Sequence, residues 1–253
     1  MVKKIKITIY IWICLLCFSN VISQNYVVTY KADIKGYDMN SDKAKKLSKT
    51  HIEYFKNINS KNKFFSDFLR INVHCDNDNC RLYYDDLLLK DGFSDGDLKN
   101  AMLNISVFTE INQFKNMSYG KSKTLKNVLV KAEYQNYLDW EISKEKKEIL
   151  GYTCYKAIPV LKKNVRKPDG TFIPNEVWFT PDLNIKASPG MFSGLPGAIL
   201  EYQTDISTIK AIQLKETKKH LVLFEIDDYK TYTYERYNLE IKKYYENFRN
   251  NLN

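Results

Sequence analysis

Residues 194–202 read GLPGAILEY, and the fold follows from what this string permits. A proline disfavours helix at the residue before it, so Leu195 is extended, Pro196 presets the first corner of a type II turn and Gly197 supplies the positive φ of the second. The chain therefore reverses at Pro196 and Gly197 and leaves as a strand over residues 198–203. Outward from this corner, GYTCYKA (151–157) and EVWFTPDL (176–183) read as earlier strands of the same sheet, the second ending at Pro181 because proline cannot donate to a ladder. KPDG (167–170) is the turn between them.

The two-residue alternation extends in both directions. Residues 25–35 form a first strand, and further strands are expected at 68–75, 80–85, 105–111, 128–135, 137–143, 208–214 and 220–226. Residues 143–148 (SKEKKE) read as a charged turn, Gly151 as a bulge or close approach, and residues 90–100 (KDGFSDGDLKN) as a polar loop. Two segments carry helical spacing. Over 41–58 a cap at Asn40 or Ser41 precedes Ala44, Leu47, His51, Phe55 and Ile58; over 234–253 the recurring residues are Tyr237, Ile241, Tyr244 or Tyr245, and Phe248. The expected fold is mainly β (β-rich α+β): a strongly curved antiparallel sheet or incomplete barrel, a helix packed across it and a C-terminal helix.

The order and spacing of GYTCYKA, EVWFTPDL and FSGLPGAILEY (192–202) resemble the GLPGLI family of Bacteroidetes envelope proteins. The resemblance covers about a third of the chain and implies an exported protein, with no established activity to carry over. The same strands also resemble the curved half-barrel of periplasmic lipoprotein carriers, a likeness that bears on fold alone.

The N-terminus fits export. Three lysines precede an apolar run over residues 7–18, too short to span a bilayer comfortably, and cleavage after Ser23 completes a secretory signal peptide. The organisation is thus a signal over 1–23 and one β-rich domain over 24–253; acylation at Cys17 is the rival reading, opposed by the bulky Leu16 before it. Loss of those three lysines lowers the net charge from +9 to +6. The remaining lysines are dispersed beside acids, which argues against nucleic-acid binding and leaves peripheral association with an anionic membrane open. In HCDNDNC (74–80) a four-residue polar turn separates Cys75 and Cys80, a spacing that lets them close a small disulfide in an oxidising compartment. The alternative there is a metal site from His74, Cys75, Cys80 and Asp76 or Asp78, for which the chain offers no second ligand cluster. Cys154 is then the odd thiol, expected to be buried.

No catalytic motif is present in the sequence: neither a nucleophile elbow, a zinc-protease helix, a phosphate loop nor a dinucleotide fingerprint. His51, His74 and His220 lie far apart. SDGDL (94–98) lacks the full spacing of a calcium loop. Glu176 and Glu201 are the one carboxylate pair that a cleft could assemble for acid–base work. No catalytic residue, metal or cofactor is therefore assigned. The GLPG turn carries two readings: Gly194, Pro196 and Gly197 as a structural corner, or the same corner at the mouth of a concave pocket in which Trp178, Phe192, Leu195 and Tyr202 contact a lipid, peptide or envelope protein. The expected role is non-catalytic binding in the periplasm or cell envelope, or after secretion. The rivals are an envelope hydrolase and a structural accessory of an outer-membrane complex.

Overall fold

A computed structural model describes residues 25–42, 44–89, 91–162, 173–192 and 194–250. The proposed signal peptide, Cys17, the KPDG turn and residues 251–253 lie outside them. Twelve strands form one sheet: β1 (Asn25–Ile34), β2 (Arg70–Cys75), β3 (Cys80–Tyr84), β4 (Phe108–Gln113), β5 (Ser118–Ser122), β6 (Val128–Ala132), β7 (Leu138–Ile149), β8 (Tyr152–Leu161), β9 (Glu176–Thr180), β10 (Ala198–Gln203), β11 (Ser207–Thr217) and β12 (Lys230–Thr233). Their spatial order is β12-β6-β5-β4-β3-β2-β1-β11-β10-β9-β8-β7. Two meanders thus flank β1, which pairs antiparallel with β2 on one side and β11 on the other. The sheet is mainly antiparallel, as the alternation predicts, but mixed rather than uniform, because β12 returns beside β6 in parallel. It stays open, with β7 and β12 as its edges.

One end of the sheet curls. Lys147 on β7 and Glu201 on β10 are separated by two intervening strands, about 14 Å on a flat sheet, yet their side chains meet at 2.7 Å. The sequence places a charged turn at 143–148 and a bulge at Gly151, and the structure exchanges the two. The register shift falls between Ile142 and Lys146, inside β7, while Leu150 (φ 54°) and Gly151 (φ 80°) form the two-residue reversal between Ile149 and Tyr152. Two positive φ angles match the twist of a tight hairpin. The lysines and glutamates guard an edge strand instead of making a turn.

Three helices complete the fold: α1 (Lys49–Phe68), α2 (Asp95–Leu103) and α3 (Tyr234–Asn250). The first helix starts later than its apolar spacing predicts. Residues 44–46 form a short 3₁₀ turn, and the Ser48 side chain caps α1 by accepting from the His51 backbone N–H. Its stripe continues through Asn62 to Phe65, where the helix docks beside β1: Phe65 is fully buried and Ser66 accepts from the Ile34 backbone N–H at 2.9 Å. The stretch read as a polar loop instead holds α2, started by a reciprocal capping box between Ser94 and Asp97. That box, with Lys61 bound to the Asp97 carboxylate at 2.8 Å, engages Ser94 and Asp97, two of the residues of the 94–98 stretch.

Residues 220–226 do not form the strand their alternation predicts. The segment is held by side chains: Val222 O accepts from Arg81 Nη1 at 2.8 Å, and the amide of buried Asn112 donates to Phe224 O at 3.0 Å and accepts from its N–H. Such bonds satisfy the backbone without a ladder.

A disulfide joins Cys75 and Cys80, which face each other across the β2–β3 register. It closes a loop of six residues, so its reduction should lower unfolding stability by about 2 kcal/mol. Denaturant titration with and without reductant measures this, and coincident midpoints would deny the bond any stabilising role.

Candidate functional site

The GLPG corner closes a 17-residue connection, 181–197, between the adjacent antiparallel strands β9 and β10. This connection is a core element. Leu183, Ile185, Ala187, Met191, Phe192 and Leu195 are all buried. A connection without ladder partners needs other hydrogen bonds, and β4, β5 and β10 supply them. Ala187 O accepts from the Ile199 N–H at 2.9 Å, Ser118 Oγ donates to Met191 O, and the Gln113 side-chain amide donates to both Ser188 O, at 3.0 Å, and Gly190 O. Tyr30 on β1 donates to Ile199 O at 2.8 Å.

The four aromatic and apolar residues proposed for a pocket mouth do not act together. Phe192 packs between the rings of Tyr134 and Tyr202, and with Leu195 it lines a cleft. Trp178 and Tyr202 lie outside that cleft and on opposite faces of the sheet, since Trp178 pairs with Glu201 and Tyr202 with Val177. All four are buried: the connection folds back over the face that holds Tyr202, through Phe192, while Trp178 on the opposite face lies under Lys147.

The cleft has a volume of about 320 Å³ and lies between the β4–β5 hairpin, at Phe114 to Asn116, and the connection, from Lys186 to Gly197. Pro196, Leu195 and Ile199 give it an apolar wall, and the exposed Lys115 and Lys186 stand at its rim. Gln113 also lines it. This side chain is 95% buried, its amide nitrogen is committed to two carbonyls, and its Oε1 has no hydrogen-bond partner. The orientation is fixed: exchanging O and N would point oxygen at two carbonyl oxygens. A buried acceptor left unmatched costs about 1–3 kcal/mol. No sequence signal distinguishes Gln113. It sits in a polar run, INQFKN (111–116), and acquires its role only from the distant segment it holds.

The Glu176–Glu201 pair lies at the curled end of the sheet. Glu201 is buried, bound by Lys147 at 2.7 Å and by the Gln203 amide at 2.9 Å, with Lys210 at 3.9 Å. Lys147 also sits 4.1 Å above the Trp178 ring. Glu176 accepts from Trp178 Nε1 at 3.2 Å and pairs with Lys156 at 3.0 Å. Burial works against its charged form, yet the Lys156 and Trp178 hydrogen bonds and the nearby lysine charges hold its carboxyl below the usual range. A general acid requires the reverse shift. Both carboxylates are held in ion pairs with lysines, an ionic brace at this end of the sheet.

Cys154, beneath this brace, is a free and fully buried thiol, pushed up to about 11 by burial. Such a thiol is protonated at neutral pH and a poor nucleophile. The three histidines stay apart, on α1, β2 and the segment after β11, and no metal-binding group of His, Cys, Asp and Glu occurs among the described residues.

None of the curated proteins matches the chain. Two solved structures of PNGF-II are similar, each 17% identical. The form in space group C2 has a TM-score of 0.44 and covers 78% of this chain and 28% of its own; the form in P21 has a TM-score of 0.48 and covers 87% and 34%. The chain thus spans about a third of the length of the solved structures it matches. The family described as the N-glycanase peptide, N-terminal domain, matches residues 101–235, a span running from the end of α2 through the cleft, the brace and the GLPG corner to the start of α3. Over half of its length is covered by that match, so this chain belongs to the family of N-glycanase peptide N-terminal domains.

Proposed function

We propose that this chain is an exported, non-catalytic binding protein of the cell envelope that holds an extended peptide segment in the cleft beside the GLPG corner. The observation that carries the reading is the make-up of that cleft, an apolar wall of Leu195, Pro196 and Ile199 beside the exposed Lys115 and Lys186. The Leu195, Pro196 and Ile199 wall suits an apolar side chain, and Lys115 and Lys186 favour a neighbouring acidic residue. The resemblance to GLPGLI proteins, a family different from the one that matches residues 101–235, supports the exported setting. Catalysis finds less support, because Glu176 is held ionised by its lysine partner.

Panning the purified protein against a random peptide library tests the reading. Enriched sequences should combine an acidic residue with an adjacent apolar one, and the double variant Lys115→Glu/Lys186→Glu should weaken their binding by about tenfold, about 1.4 kcal/mol, with no change in melting temperature. Absence of enrichment, or equal binding by that variant, would defeat the reading, as would co-purification of lipid in the cleft.

A further inference from the structure

A second cleft, of about 640 Å³, opens at the β12 edge of the sheet, where the β5–β6 turn and the start of β12 face α2 and α3, and it shares no lining residue with the first. Four lysines line it: Lys99 from α2, Lys123 and Lys126 from the turn, and Lys230 from β12. Glu240 on α3 is the one carboxylate among the described residues of this lining, and it already faces two cations of its own helix, Arg236 at 3.0 Å and Lys243 at 3.5 Å. Elsewhere in the fold Lys61, Lys121, Lys147 and Lys156 each meet a carboxylate at 2.7 to 3.0 Å. Lys99, Lys126 and Lys230 form no ion pair among the described residues.

The backbone that carries these three charges is fixed in advance. Lys123 turns its ammonium inward, donating to Ser106 O at 2.8 Å and Met102 O at 3.0 Å, 4.6 Å from the centre of the Tyr84 ring, and burial pushes its pKa well down. Its backbone N–H donates to Val107 O at 3.0 Å, so side chain and main chain both pin the turn to the segment after α2. Within the turn Ser122 Oγ accepts from the N–H groups of Thr124, at 3.2 Å, and Leu125, at 2.9 Å. The Lys230 N–H then donates to Asn127 O at 3.0 Å, which sets Lys230 beside the residue that follows Lys126. Like charges gathered around one concave surface repel each other, and an anion placed among them turns that repulsion into attraction. Lysine ammonium groups act on phosphate as compact point charges, and three of them around a cleft of this volume suit a group bearing two or more negative charges.

We infer that this cleft binds a phosphorylated ligand, its phosphate oxygens set among Lys99, Lys126 and Lys230. The assignment is independent of the peptide reading and neither stands nor falls with it. Calorimetric titration of the purified protein with inorganic pyrophosphate, alongside sedimentation with phosphatidylcholine vesicles made with and without phosphatidic acid, tests it. At least one of the two phosphate sources should bind: pyrophosphate alone assigns the cleft to a soluble ligand, and the phosphatidic acid vesicles alone assign it to a lipid headgroup. Lys126→Gln/Lys230→Gln, at two exposed positions, should weaken binding by about tenfold with the melting temperature unchanged. Lys115→Gln/Lys186→Gln, which removes the same charge at the other cleft, should bind as the unaltered protein does. Binding of neither source would overturn the assignment, as would full affinity in Lys126→Gln/Lys230→Gln. Equal losses in the two double variants would overturn it too, because net charge would then be the cause.

Discussion

Gly197→Ala is expected to lower stability by about 4 kcal/mol, near the top of the range for single substitutions. Gly197 has φ +102°, and a Cβ built on it would stand 2.0 Å from Thr180 O and 2.9 Å from Pro181 Cα. Both neighbours are backbone, at the end of the strand paired with β10, so neither can swing aside as a flexible side chain would. Relief requires moving the corner away from β9, which would also disturb the Ala198–Thr180 pairing and the connection bound to Gln113. For a domain of this size the melting temperature should fall by about 12 °C. A drop of only a degree or two would mean that the corner relaxes freely, and its role as the point that sets the β9–β10 register would be lost.

Lys147→Met should cost about 3 kcal/mol, the low end of what removal of one partner from a buried ion pair costs. The low end applies because the lysine side chain is 30% exposed and Lys210 remains 3.9 Å from Glu201. The Glu201 side chain is only 6% exposed, so without Lys147 most of its carboxylate's desolvation goes uncompensated. The double variant Lys147→Met/Glu201→Gln should recover at least half of the loss, because a neutral amide no longer needs a cation. Chemical denaturation of the two single variants and the double variant closes the cycle. Additive losses would show that the two side chains do not brace the curled end together.

Much of the strand layout was legible in local chemistry. Alternation located β1, β2, β3, β9, β10 and β11, and Pro181 marked the end of β9 because proline cannot donate to a ladder. Other elements had no local signal to give. In β5, SYGKS, a glycine and polar residues stand where alternation would be sought; Gly120 is there because a Cβ would lie 2.6 Å from the Phe108 ring. Asn62 interrupts the apolar stripe of α1, so the sequence points to the wrong half of the helix. The α2 capping box was present in the letters Ser94 and Asp97, but the surrounding Gly and Asp residues also spell a loop.

The two clefts show the same division. Phe192 and Leu195 could be singled out because large apolar residues beside a forced turn must be buried or bound, whereas nothing local separates Trp178 and Tyr202 as members of opposite faces until a register is fixed. Gln113 and Lys123 matter through partners 17 to 77 residues away, and spacing along a chain does not encode such meetings.

By itself, then, the sequence determined the corner at Pro196 and Gly197, the β-rich class and the positions of most strands, since each depends on torsional limits and alternation within a few residues. Only the tertiary structure decided that the connection before that corner is core, that Glu176 and Glu201 are braced by lysines, and that Gln113 on one side and Lys99, Lys126 and Lys230 on the other line separate clefts. Burial and charge pairing are properties of surfaces brought together from distant segments, and they come into being only when the sheet curls and its connections fold across it.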